Sequence, residues 1–358
     1  MSIEARIIRK LAAVGESPAF TLDVQLAAPA GITVVFGPSG AGKTLLLNCI
    51  AGFMRPDDGR ILVRDRIYFD RAANVQVPPE RRRCGYIFQD HALFPHMTVR
   101  ENLRFAAGSA RVARLEARRR MNELLESFDL TEFVERRPAQ LSGGQKQRAA
   151  LARILMTEPH VMLLDEPSRG LDTRLRSAFW DVLRALRQRV EDLPILLVTH
   201  DIEECCELAD RIAVLADGRV LQAGPRDEVI RRPASVEVAR YLGLHNIAPA
   251  QIRSLDPAGK SSRIQVFGQE MNGPHLPGHL IGDSGFLCVL QSEMKPTQAN
   301  ENRLVLRIEN AQRSAAGVQV QLEHGFTVTL SQSEYARHAD SDTLSLSAPV
   351  EAMAFTGK

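Results

Sequence analysis

Short, wholly apolar runs recur through the first two-thirds of the chain, and helical patterns follow them. Residues 31–37, GITVVFG, form a β-branched run closed by glycine, and HVMLLDEP (160–167) and PILLVTHD (194–201) repeat the pattern. Runs of this length without polar interruption predict strands buried on both faces. TLLLNCIAGF (44–53) follows the first strand with helical character. Strands alternating with helices predict an α/β fold around a parallel sheet covered on both faces. Residues 91–158 read as a mainly helical insertion. Within it, ARLEARRRMNELLESF (113–128) sets apolar residues at helical spacing beside Arg118, Arg119 and Arg120, which read as a solvated helix face.

The pattern changes near residue 243. GLHNIAPAQIRSLDPAGKSS is rich in Pro, Gly and Ser and reads as a boundary. Beyond it, RIQVFG, FLCVLQ, RLVLRI, GVQVQLE, FTVTLS and DTLSLS are short alternating runs with turn residues between them, which predicts a small all-β domain. The expected domains are therefore 1–242 and 243–358. A length of 358 residues agrees with two domains. A net charge of +2 gives no reason to expect nucleic acid as a partner. No apolar run reaches the ~18–20 residues that span a bilayer, and the N-terminus does not read as a signal peptide. The expected place is the cytosol, with membrane association through a partner. Cys49, Cys84, Cys205, Cys206 and Cys288 contain no C-x-x-C pair and read as reduced thiols.

The chemistry begins at Gly37-Pro38-Ser39-Gly40-Ala41-Gly42-Lys43-Thr44, which fits G-x-x-x-x-G-K-S/T directly between a strand and a helix. Glycines let successive N–H groups turn toward phosphates, and a helix N-terminus favours anions. Lys43 offers charge to the β- and γ-phosphates, and Thr44 offers a hydroxyl to Mg²⁺. These residues predict a P-loop NTPase that takes ATP and Mg²⁺. Asp165 and Glu166 close the run VMLLDEP, at the carboxyl end of a predicted strand, where open α/β sheets hold ligands. Asp165 is the expected Mg²⁺-associated carboxylate, and Glu166 the group that polarises the attacking water.

Residues 141–148, Leu-Ser-Gly-Gly-Gln-Lys-Gln-Arg, carry a family resemblance. LSGGQ before a helix resembles the signature of ABC-transporter nucleotide-binding subunits. The resemblance implies that Ser142, Gly143, Gly144 and Gln145 form a second phosphate-binding helix start. It also implies that this surface covers ATP held by the other subunit of a homodimer. Gln89, in GYIFQDHALFPHMTVRENL, resembles the family's glutamine loop near the Mg²⁺ and the attacking water. Ser168-Arg169-Gly170-Leu171-Asp172 resembles the D-loop, where the family more often has Ala or Ser at the third position. His200 resembles the switch histidine that contacts the γ-phosphate. The family stacks adenine on an upstream aromatic residue. Here Phe20 is the one upstream aromatic near the loop, and a core-facing strand start is its other reading, so the adenine contact stays unassigned.

The resemblance covers residues 3–240 and is nearest to the molybdate, sulfate, iron and polyamine importers. VPPERRRCGYIFQD followed by LFPH resembles molybdate-import ATPases, and HNIAPAQI with CVLQSE resembles the C-terminal OB-like TOBE domain of the whole importer group, although CVLQSE lacks the usual Arg-Pro-Glu and the segment departs from the molybdate-specific barrel repeat. The implied protein is an ATPase on the cytoplasmic face of the inner membrane. Its implied partners are permease subunits and, through them, a substrate-binding protein. Molybdate is the preferred substrate reading, with sulfate or tungstate, iron(III) and polyamine as alternatives. A soluble ABC ATPase outside transport is the rival class. Leu93, Phe94 and Pro95, flanked by His91 and His96, would border the groove for a short permease helix or else lie inside the helical subdomain.

Overall fold

The computed structural model describes residues 2–357 apart from 14, 16–17, 88–92, 110–112, 191, 300–301, 315–316 and 340. The chain divides into two compact units, Met1–Arg226 and Asp227–Lys358.

The first unit contains an antiparallel sheet built from β1 (Ser2–Leu11), β2 (Phe20–Pro29), β4 (Asp58–Val63), β5 (Arg66–Asp70) and β6 (Val75–Gln76) in the order β2-β1-β4-β5-β6. A second sheet has β3 (Gly31–Phe36), β7 (Cys84–Ile87), β8 (Val161–Asp165), β9 (Pro194–Thr199), β10 (Arg211–Ala216) and β11 (Arg219–Pro225) in the order β11-β10-β3-β9-β8-β7. Its inner pairs are parallel, in register at Val35↔Val198 and Leu164↔Leu197, and only β11 runs antiparallel.

The sequence patterns anticipated the parallel sheet but not the antiparallel one. Strand β1 explains why. It buries Ile3, Ala5 and Ile7 on one face and carries Glu4 and Arg6 on the other, so it never forms the continuous apolar run that marks an interior strand.

Helix α1 (Lys43–Ala51) lies between these sheets. Its Leu46, Leu47, Cys49 and Ile50 share one core with Ile3, Ile7 and Val24 from the antiparallel sheet and with Val35, Leu163 and Val198 from the parallel one. A helix buried from both sides must be apolar nearly all round, which TLLLNCIA is. Arg82 closes its far end. The buried guanidinium donates to the carbonyls of Cys49 and Ile50, both at 2.8 Å, and to Val77 O at 2.8 Å. These helix-terminal carbonyls lack intrahelical partners and carry the negative end of the helix dipole, so Arg82 is held by backbone.

The helical insertion consists of α2 (Val99–Ser109), α3 (Arg114–Ser127) and α4 (Gly143–Leu155). Of the three arginines on α3, Arg119 pairs with Glu116 and Glu123 at the surface. Arg120 does not belong to a solvated face. It donates to Leu155 O at 3.0 Å and to Glu158 at 2.7 Å, tying α3 to the end of α4.

Helices α5 (Thr173–Arg189) and α6 (Ile202–Leu208) follow β8 and β9. Because β3, β8 and β9 are parallel, their carboxyl ends place the 37–44 loop, Asp165 with Glu166, and His200 along one edge of the sheet.

The second unit is all-β apart from short helices. It contains β12 (His245–Asp256), β13 (Ser261–Val266), β14 (Gln269–Gly273), β15 (Ser284–Leu290), β16 (Lys295–Pro296), β17 (Leu304–Ser314), β18 (Gly317–Leu322), β19 (Phe326–Leu330), β20 (Thr343–Ser347) and β21 (Met353–Thr356). They form two five-stranded antiparallel sheets, β14-β13-β12-β15-β21 and β16-β20-β17-β18-β19. One core joins them through Ile252, Ile264, Leu287, Val289, Leu306, Val320, Phe326 and Leu344.

The segment read as a boundary is strand β12, paired on both sides. Its Pro249 sits opposite Phe286 of β15, beyond the point where pairing with β13 begins at Ala250↔Val266, so the missing N–H is not needed there. The unit begins before residue 243 because α7 (Val236–Leu242) buries Ala239 against Cys288 and Ala354.

Candidate functional site

Two glycines shape the loop between β3 and α1. A Cβ on Gly37 would stand 1.9 Å from the carbonyl oxygen of Leu215, so only glycine lets this loop leave the sheet so close to β10. Gly42 precedes α1 with φ +98°, and a Cβ there would meet Leu22 at 2.9 Å and Phe20 at 3.0 Å. No side chain caps the helix, so its first N–H groups are left for a ligand.

Lys43 is buried, and its Nζ donates to Gly37 O and Pro38 O, both at 2.8 Å. Burial lowers its pKa, while the charges of Glu166 and Asp165 push it back up. Thr44 Oγ1 donates to Asp165 Oδ1 at 3.1 Å. The Tyr86 hydroxyl lies 3.3 Å from Asp165 Oδ2 and 3.2 Å from Asn48 Oδ1. Burial raises the Asp165 pKa, and the Thr44 and Tyr86 hydrogen bonds oppose this. A buried carboxylate fronted by a hydroxyl is a set of hard oxygen donors suited to Mg²⁺. Among the described residues there is no group of three or more His, Cys, Asp and Glu that could hold a metal ion. A cation at Asp165 would therefore complete its shell with ligand and water oxygens, as Mg²⁺ does in nucleotide sites.

Glu166 has φ +45°, a left-handed conformation that is strained for glutamate and is found at functional positions. Its N–H donates to Val198 O at 3.0 Å. Its Oε1 lies 3.1 Å from His200 Nδ1, and its Oε2 accepts from Arg169 Nη1 at 3.0 Å. A carboxylate oxygen accepts, so His200 donates from Nδ1 in this contact.

Lys43, Thr44, Glu166 and Arg169 line a cavity of about 820 Å³ together with Leu11, Pro18, Phe20 and Ser39. Phe20 thus reaches both environments raised by the sequence, since its ring also packs at the edge of the core. The structure brings Lys43, Thr44 and Glu166 to this cavity, with Asp165 bonded to Thr44 and His200 to Glu166. Gln89 lies outside the described residues, as does His91.

The signature residues occupy a different place. Ser142 caps α4, with Gln145 N donating to Ser142 Oγ at 3.3 Å and Ser142 N to Gln145 Oε1 at 2.9 Å. Gly143 and Gly144 form the first turn. Among the described residues lining the cavity, none belongs to 142–145. Motif reading missed Gln147, one turn further on. It is buried and its Nε2 donates to Pro167 O at 3.2 Å, joining α4 to the acidic segment. It also missed Tyr86 and the apolar wall of Leu11 and Pro18. Only the run Gln-Lys-Gln, with a polar residue at a buried helical spacing, hinted at Gln147.

A glycine loop feeding a helix, with a buried carboxylate against its threonine, defines a P-loop nucleotide hydrolase fold. The profile described as ABC transporter matches residues 22–169. The chain is 39% identical over 238 residues to the molybdenum import ATP-binding protein ModC of Rhodospirillum rubrum, covering 66% of this chain and 64% of that one. It is 35% identical over 264 residues to ModC of Rhizobium etli, covering 74% and 72%. It is 43% identical over 226 residues to the spermidine/putrescine import ATP-binding protein PotA 1 of Pseudomonas aeruginosa, covering 62% and 59%.

A solved dimeric post-hydrolysis state of an ATP-binding cassette bound to ADP and Pi aligns with TM-score 0.51 and 28% identity, over 63% of this chain and 99% of that one. The chain belongs to the ABC transporter ATP-binding family. It spans less than two thirds of the length of several of these relatives, 64% and 59% in the first and third cases.

Proposed function

We propose that this chain is the ATP-hydrolysing subunit of an ABC importer. One observation carries the reading. Lys43, Thr44 and Glu166 line one cavity, Asp165 bonds Thr44, and His200 bonds Glu166. In this reading the first N–H groups of α1 bind the phosphates, and Lys43 turns from Gly37 O and Pro38 O to the β- and γ-phosphates. Thr44 and Asp165 hold Mg²⁺, which supplies charge neutralisation on the phosphoryl group. Glu166 accepts the proton of the attacking water, with its carboxylate aimed by His200. Leu11, Pro18 and Phe20 give the adenine an apolar wall. Gln89 is assigned to the same chemistry on its motif alone.

The signature start at Ser142–Gln145 lies apart from the cavity lining, so we assign it to a second copy's ATP in a homodimer. The dimeric cassette with bound ADP and Pi supports this arrangement. Among the described residues no helix is long and apolar enough to cross a membrane. The names of the import ATP-binding relatives support a place at the cytoplasmic face of the inner membrane, held by membrane permease subunits with a substrate-binding protein beyond them. Molybdate or a related oxyanion is the substrate favoured by the relatives' names. Polyamine import is the second reading, favoured by the 43% identity to PotA 1. We assign the second unit, with its two antiparallel sheets, as a TOBE-type domain.

The test is ATPase activity of the transporter reconstituted with its permease. Binding protein loaded with molybdate should stimulate turnover, and binding protein loaded with spermidine should not. Stimulation by spermidine alone would select the second reading. Stimulation by neither would reject both substrates.

A further inference from the structure

The carboxylate assigned to the attacking water is already engaged on both oxygens. His200 Nδ1 lies 3.1 Å from Oε1, and Arg169 Nη1 lies 3.0 Å from Oε2. The Glu166 side chain is 14% exposed and reaches the cavity that the proposed nucleotide would occupy. Each carboxylate oxygen has two acceptor sites, and the guanidinium holds one of those on Oε2 through a charge-assisted bond. The pairing is also loosely held. The Arg169 side chain is 62% exposed, and its backbone N–H makes only the turn bond to Glu166 O at 3.1 Å. Arg169 lines the same cavity as Ser39 and Lys43, so the pair stands beside the phosphates of the proposed site.

We propose that Arg169 is a latch on Glu166: it keeps its bond to Oε2 while ATP occupies the cavity and restrains the carboxylate from taking the proton of the attacking water. This rests on Glu166 being the group that accepts the proton. Arg169 is then a positioning residue that acts through Glu166. Its effect belongs to kcat, because the carboxylate takes part in the chemical step and not in holding nucleotide.

The experiment uses the full chain and measures ATP hydrolysis against ATP concentration for Arg169→Ala, Arg169→Gln, Arg169→Lys, Glu166→Gln and the double variant Glu166→Gln/Arg169→Ala. An ion pair of this exposure is worth a factor of about two to five. Arg169→Ala and Arg169→Gln should raise kcat by that factor with KM nearly unchanged, while Arg169→Lys, which keeps the charge, stays near the parent. Nucleotide-free melting should stay within about 2 °C of the parent in all three, because the pair is at the surface. The double variant should be as slow as Glu166→Gln.

A flat or lowered kcat in the Ala and Gln variants overturns the latch, as does a Lys variant as fast as Ala. A double variant faster than Glu166→Gln by the same factor overturns it too, because Arg169 would then act independently of Glu166. Parental turnover by Glu166→Gln alone is a separate failure, that of the assignment beneath the proposal.

Discussion

Thr44 Oγ1 meets Asp165 Oδ1 at 3.1 Å, joining two motifs 121 residues apart. Their strands, β3 and β8, are not neighbours, since β9 runs between them. The contact forms because α1 starts above the carboxyl edge of the sheet and points the Thr44 hydroxyl across β9. The geometry therefore depends on where α1 begins and on how firmly its other end is held.

Glu166→Gln should retain ATP binding and lose about 10²–10⁴-fold in turnover, because an amide cannot take the proton of the attacking water. In light scattering the variant should be a dimer with ATP and a monomer without it, since a ligand shared between two surfaces stabilises their association by mass action. Near-parental hydrolysis would remove Glu166 from the chemistry.

Replacing Arg82 by Met should destabilise the first unit by about 2–4 kcal/mol, because the carbonyls of Val77, Cys49 and Ile50 lose a buried charged donor together. Arg82→Lys should recover only part, since one ammonium cannot reproduce the guanidinium fork. Urea unfolding checks both, and an unchanged midpoint for Arg82→Met would contradict the capping role.

Phe94 is half-buried, edge-on to Phe105 at 4.8 Å and under the Arg153 guanidinium at 5.1 Å. It is neither wholly core nor a bare groove residue. Phe94→Ala should cost roughly 1–2 kcal/mol, below the ~3–5 of a fully buried phenylalanine. If the permease helix docks here, coupled ATPase falls further than uncoupled ATPase does. Equal loss of both, with a full core-sized drop in stability, would place Phe94 in the core.

His245 gives the second unit a pH dependence. Its Nε2 lies 2.8 Å from Ile230 O, and its buried Nδ1 has no partner among the described residues. Burial lowers its pKa from 6.5, so the unfolded chain binds the proton first as pH falls. The stability it contributes is complete above pH 6.5 and is lost as pH drops below that value toward the lower folded-state pKa. The stability of the parent relative to His245→Gln should fall between pH 7.5 and 5.5, by at most about 1.4 kcal/mol per pH unit. A constant difference would show that the buried imidazole does not set this slope.

The phosphate loop, the acidic pair and His200 were legible because each sits at the end of a continuous apolar strand, and a local pattern fixes both strand and exit. The six alternating runs after residue 262 were legible for the same reason, and each became a strand. Strand β12 was hidden because Pro249 and neighbouring Gly and Ser resemble a linker, and only the cross-strand partners reveal that its N–H is dispensable. The antiparallel layer was hidden by its charged outer face. Tyr86, Gln147 and Arg169 act through contacts set by tertiary packing, which no spacing in the sequence encodes.

The reciprocal bonds between Ser142 and Gln145 carry a kinetic consequence. Because these bonds already close the start of α4, that turn does not have to be organised when two copies approach around ATP. Association then loses overall translational and rotational freedom but little internal freedom. The encounter should proceed at the ordinary rate of rigid surfaces, about 10⁵–10⁷ M⁻¹s⁻¹, with nucleotide acting on the lifetime of the pair more than on the speed of its formation.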